Sequence, residues 1–102
     1  TDTTGLISAV IEELPQRTAL LGLSSNPMRG TGFVAFTLAK KSHITLEIID
    51  IQGRVVKVLA RGEYDRGYYR LRIDGKALPQ GIYFVRLKAD GKDHVNKFLL
   101  VR

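Results

Sequence analysis

Turn-forming residues interrupt this chain so often that no long element has room to form. Past Gly30 the breaks fall at Lys40-Lys41-Ser42, Gln52-Gly53, Arg61 to Gly67, Asp74-Gly75, Leu78-Pro79-Gln80-Gly81 and Asp90-Gly91. Between them lie short runs rich in β-branched and aromatic residues. Strands recurring every 8–12 residues or so, with turn signals between, build a sandwich or a small barrel. A parallel βαβ crossover needs about a dozen residues of its own, and no such stretch is available. The pattern predicts an all-β protein, an antiparallel β-sandwich of about seven strands.

The runs themselves show which side faces in. Val34, Phe36 and Leu38 alternate along one strand, and Ile44, Leu46 and Ile48 along the next, with Thr45 and Glu47 outward. Tyr69, Leu71 and Ile73 face one way, Arg70 and Arg72 the other. Arg61 to Gly67 reads as a loop. The chain closes on two β-prone runs joined at Asp90-Gly91, a pair that tolerates the positive φ of a tight hairpin turn. If Arg86 and Lys88 face solvent, then Tyr83, Val85 and Leu87 point inward and Ile82 and Phe84 outward. Opposite them, Phe98-Leu99-Leu100-Val101 is apolar on both faces. Phe84 with either Phe98 or Leu99 then forms an exposed apolar ridge beside the C-terminus. Such a ridge is a partner surface, unless the N-terminal segment covers it.

That N-terminal segment has a different texture. Residues 1–18 read as a linker or tail, and 19–102 as the sandwich. Ile7, Val10, Ile11 and Leu14 fall at helical spacing, but the run is short and β-branched, and helix and strand both remain open. Either form needs a surface to dock on, which makes Ile7, Val10 and Ile11 candidates for a contact with another copy of the chain.

Chemistry is harder to find. The 102 residues include no cysteine and only two histidines, His43 and His94, with no partners at catalytic or metal-ligand spacing. The aspartates sit at turns, where they cap backbone. The glycines are separated by strands, so no phosphate cradle forms. The reading is a non-enzyme without catalytic residue, metal or cofactor. The formal charge of +6 is spread from Arg17 to Arg102 and alternates with apolar residues. No nucleic-acid partner is expected from that distribution, which lacks a patch with interleaved aromatics. Attraction to an anionic surface glycan is compatible with it. Tyr64, Tyr68, Tyr69 and Tyr83 read as core-edge residues before they read as a sugar platform.

Asn26-Pro27, Val34-x-Phe36-x-Leu38, Ile48-Ile49-Asp50-Ile51-Gln52-Gly53-Arg54-Val55-Val56, Gly67, Asp74-Gly75, Leu78-Pro79-x-Gly81-Ile82-Tyr83-Phe84-Val85-Arg86-Leu87 and Lys97-Phe98-Leu99-Leu100-Val101 stand in a telling order. Over about residues 20 to 102 that ordered set resembles the C-terminal sorting domain of the type IX secretion system. That domain is similar in turn to the immunoglobulin-like domain of flagellar hook-capping proteins. The resemblance implies an immunoglobulin-like sandwich at the end of exported cargo. It implies passage through the periplasm and across the outer membrane of a Gram-negative bacterium, to the cell surface or outside. The partner it implies is the outer-membrane export machinery, which reads the terminal region. Gly81, Tyr83 and Lys97 match the motif, Arg102 completes the terminal region, and Gly53, Arg54 and Pro79 match framework positions. Ile49, Ile73, Ala39-Lys40 and Met28 depart from the family's usual residues, at packing and turn positions.

Two functions of different class follow as expectations. One is a non-catalytic sorting module for export and surface attachment. The other is a structural subunit of an extracellular filament or surface layer, self-assembling through its N-terminal tail and exposed strand edges. A carbohydrate-binding module is a third and weaker reading.

Overall fold

The computed structural model describes residues 15–101 and is an immunoglobulin-like antiparallel β-sandwich. Its strands are β1 (Ala19–Leu23), β2 (Met28–Arg29), β3 (Thr31–Leu38), β4 (Ser42–Asp50), β5 (Val55–Tyr64), β6 (Gly67–Asp74), β7 (Gly81–Ala89) and β8 (Lys92–Val101). A single turn of 3-10 helix, Gly75–Ala77, follows β6. One sheet has the order β1-β3-β6, the other β2-β8-β7-β4-β5. Every pairing is antiparallel except β2 with β8.

The alternation of the sequence sets which faces meet. Val34, Phe36, Leu38 and Ile73 come from the three-stranded sheet. Ile44, Leu46, Ile48, Val85, Leu87, Phe98 and Leu100 come from the five-stranded one, and all are fully buried between the two. Phe36 stacks on Tyr69 at 5.1 Å, and Tyr64 closes edge-on against both rings. Tyr64 and Tyr69 therefore serve the core, while Tyr68 points outward and is exposed.

The structure departs from the sequence reading at three places. β2 is an eighth strand, too short to show a pattern. It exists because Met28 and Arg29 run beside Leu100 and Val101. β5 continues through Arg61–Tyr64, where a loop was expected, and only Asp65-Arg66 remain between it and β6. Its pairing with β4 slips near Leu46/Glu47 and Ile48/Ile49. Such irregularities bend a strand and blunt its outer edge. Glu47 faces outward as expected, yet is 4% exposed, for reasons that belong to the site below.

Gly75 marks a close approach of two backbone segments. Its N–H donates to Gly30 O at 2.7 Å. A Cβ there would lie 2.5 Å from that same oxygen and 2.7 Å from Leu100 Cδ1. Gly75→Ala should therefore destabilise the domain by about 2 kcal/mol or more, by overpacking and by stretching a buried hydrogen bond. Denaturant midpoints of Gly75→Ala and wild type, measured side by side, check this. An unchanged midpoint would mean that the two segments do not meet so closely.

Candidate functional site on the terminal hairpin

β7 and β8 pair along their whole length, from Gly81 opposite Leu100 to Ala89 opposite Lys92. The two residues left over, Asp90 (φ 53) and Gly91 (φ 76), both adopt left-handed backbone. That conformation matches the twist of a two-residue hairpin, and Asp followed by Gly adopts it at low cost. The tight turn fixes the register, and the register decides which side chains leave the core.

On the inner side, Tyr83 is 6% exposed and stacks on Phe98 at 5.8 Å. Its hydroxyl donates to Pro79 O at 2.6 Å. One ring thus ties the Leu78–Gln80 turn to the closing strand. Gly81, at φ 152, opens β7 immediately after that turn. Phe98 is 1% exposed. It does not belong to the outer ridge, because it pairs with the inward-facing Tyr83 and shares its parity.

The outer side carries Ile82 opposite Leu99, and both are exposed. Phe84 is half-buried, with Ile49 opposite it on β4 and Lys97 opposite it on β8. A hollow of about 240 Å³ is lined by Asn26, Ile82, Lys97, Phe98 and Leu99. A second, of about 230 Å³, runs from Ile82 past Gly81 and Tyr83 to the Asp50–Arg54 turn. Ile82 stands between the two. The ridge is therefore Ile82, Leu99 and Phe84, flanked by Lys97.

Asn26, which in the sequence opens the ordered set of family-like motifs, holds this end of the hairpin in place. Its side-chain amide donates to Lys97 O at 3.2 Å, and its carbonyl accepts from Leu99 N–H at 3.1 Å. The side chain thereby imitates a paired strand for one residue step. β2 continues the pairing along Leu100 and Val101. The C-terminal half of β8 thus has partners on both edges. An Asn-Pro pair gives no sequence signal of such a clamp beyond its turn propensity.

The same outer face carries a charged cluster beside the ridge. The Glu47 carboxylate accepts from Arg86 Nε at 2.8 Å and from Arg86 Nη2, and Lys88 Nζ lies 3.9 Å away. Arg86 and Lys88 close over it, which explains why an outward-facing glutamate is buried. Its alternation showed the face but not the cover. At the neighbouring turn, Asp50 accepts from Gln52 N–H (2.9 Å) and Arg54 N–H (3.0 Å) and pairs with Arg54 Nε (2.9 Å). The Arg54 N–H bond foremost, with its guanidinium and the Gln52 N–H, holds the Asp50 carboxyl below the ordinary aspartate value against an opposing desolvation. This is the capping work expected of aspartates at turns.

His43 is exposed on β4 and His94 half-buried on β8. Among the described residues, no three His, Cys, Asp or Glu side chains come together as a metal site. Among them, too, no helix is long and apolar enough to cross a membrane. Ile7, Val10, Ile11 and Arg102 lie outside the described residues.

Comparison with known proteins adds a family. The profile described as "Secretion system C-terminal sorting domain" matches residues 26–101, from the Asn26 clamp to the end of β8. No curated protein matches the chain significantly. Among solved structures, PorZ of Porphyromonas gingivalis, an essential bacterial surface component of the type IX secretion system, has a similar fold. The TM-score is 0.51 at 19% identity, over 78% of this chain and 11% of that one. At that identity the likeness concerns the fold alone, and the chain spans only a small part of PorZ.

Proposed function

The chain belongs to the secretion system C-terminal sorting domain family, and from that premise we propose that it is a non-catalytic address module. It directs export through the type IX machinery, by way of the periplasm, to the cell surface or beyond. The observation that carries this reading is the span of the family match, which takes in both strands of the terminal hairpin and the asparagine that clamps it. Gly81 and Tyr83 shape the hairpin's start. Lys97, with Ile82 and Leu99, offers the surface that the export machinery reads.

The physical logic is that of a rigid epitope. A hairpin held on both edges presents its outer face in one geometry, so recognition costs little ordering. An apolar ridge with a cation beside it fits a partner surface that is apolar with acidic rim residues. None of this calls for a reacting group.

The test is a transfer of the address. A periplasmic reporter fused upstream of this domain should reach the surface or medium of a bacterium that has a type IX system. The unfused reporter should stay in the periplasm. Retention of the fused reporter in cells where a native substrate is exported would reject the proposal.

A further inference from the structure

We infer that the sandwich carries an oxyanion site at the end remote from the Ile82–Leu99 ridge, built for the phosphate or sulfate group of a sugar-sized ester. The starting observation is a conflict within β8. Lys92, His94, Asn96, Phe98 and Leu100 alternate along one side of the strand. The partners of the first four, Ala89, Leu87, Val85 and Tyr83, are all buried on the core side of the sheet. Phe98 and Leu100 obey that environment. His94 stands opposite Leu87 and Asn96 opposite Val85. That end of the strand is incompletely covered: Lys92 is exposed and His94 and Asn96 are half-buried, so polar side chains on the core side there still meet open space.

Lys92 and His94 open onto a hollow of about 440 Å³, within the range of small-molecule sites. Arg17, Thr18, Lys40, Asp90, Lys92 and His94 line it. With Ala89 the lining is seven residues, of which three are permanent cations and Asp90 is the one carboxylate. Its Oδ2 lies 3.0 Å from Ser42 Oγ, a hydroxyl that also lies 2.9 Å from Lys40 O. Among the described residues, no carboxylate forms an ion pair with Arg17, Lys40 or Lys92.

The segment that presents Arg17 is also anchored. Thr37 Oγ1 donates to Arg17 O at 2.8 Å, and Thr18 Oγ1 accepts from Ala39 N–H at 3.1 Å. The site thus draws on the start of β1, the β3–β4 turn and the β7–β8 turn. Cations that line one hollow repel one another, and a multivalent oxyanion relieves that repulsion while accepting several hydrogen bonds at once. The hollow exceeds the volume of a bare ion, which is why an ester is the expected ligand. Free phosphate and a phosphorylated sugar share the recognised chemistry, and affinity separates them.

Calorimetric titration of the full chain at low salt tests this, with glucose 6-phosphate, inorganic phosphate and glucose as probes. Glucose 6-phosphate should bind saturably at one site, and glucose should not bind. The double variant Arg17→Gln/Lys92→Gln should weaken binding by about tenfold or more. Lys57→Gln, which removes a charge from β5, should leave it unchanged. All three positions are on the surface or partly so, and an unchanged thermal midpoint verifies each fold. Tighter binding of the ester than of inorganic phosphate supports a sugar-borne group, and equal affinities support the free ion. A heat signal that never saturates, or equal losses in the Lys57 variant and the double variant, would overturn the site in favour of diffuse charge attraction.

Discussion

A reporter carrying this domain should remain in the periplasm once Ile82 and Leu99 are both changed to Asp. The two residues face each other across β7 and β8, and are 45% and 40% exposed. New carboxylates there reach water rather than the core, so the sandwich should lose only about 1–2 kcal/mol, part of it from like charges placed directly opposite each other. What changes is the surface: an apolar ridge beside Lys97 becomes an acidic one. A partner that buries the ridge then has to desolvate two charges, which removes the contact outright. Deleting residues 96–102 should block export as well, but by a coarser route, since it removes Phe98 and Leu100 from the core. The comparison is informative because the double variant should stay folded, which its thermal midpoint checks. Normal export of a folded Ile82→Asp/Leu99→Asp fusion would show that the machinery reads some other surface. Normal export of the truncated fusion would defeat the sorting proposal itself.

The parts of this molecule that were legible in the sequence are those fixed by alternation and turn chemistry. Val34-x-Phe36-x-Leu38 and Ile44-x-Leu46-x-Ile48 announced both inner faces, and Asp90-Gly91 announced the closing turn with its register. Features that depend on what lies opposite a residue were not legible. Glu47 reads as a solvent-facing residue until Arg86 is placed across from it. Met28-Arg29 has no strand pattern and becomes a strand only through its neighbour Leu100-Val101. Asn26 clamps β8 through two hydrogen bonds to residues more than seventy positions away. The first half of β8, Lys92 to Lys97, is mostly polar and charged and shows no inward face in the sequence. Only the register shows that His94 and Asn96 occupy core-side positions. For the candidate site, the sequence left Phe98 and Leu99 as alternatives for the ridge. A one-residue difference in register exchanges the two faces of a strand, so only the observed pairing assigns them.

Phe98→Ala and Leu99→Ala should therefore behave as opposites, although the residues are adjacent. Phe98 is 1% exposed and stacked on Tyr83. Truncating a buried phenylalanine costs about 3–5 kcal/mol, through lost transfer energy and the cavity left behind. Against the 5–15 kcal/mol or so that holds a typical domain together, this is a large share. The loss reaches further, because Tyr83 would lose the ring that steadies it while its hydroxyl holds Pro79 O. Leu99→Ala removes an exposed side chain and should shift stability by no more than about 0.5 kcal/mol. Chemical denaturation of the two single variants measures both. Equal midpoints, or a larger loss for Leu99, would mean that β8 is paired one residue out of the register described. The pair also separates two ways of losing export: Phe98→Ala by weakening the fold, Leu99→Ala by trimming the surface that is read. A temperature series distinguishes them, since a fold defect should ease on cooling toward the temperature of maximum stability, and a missing contact should not.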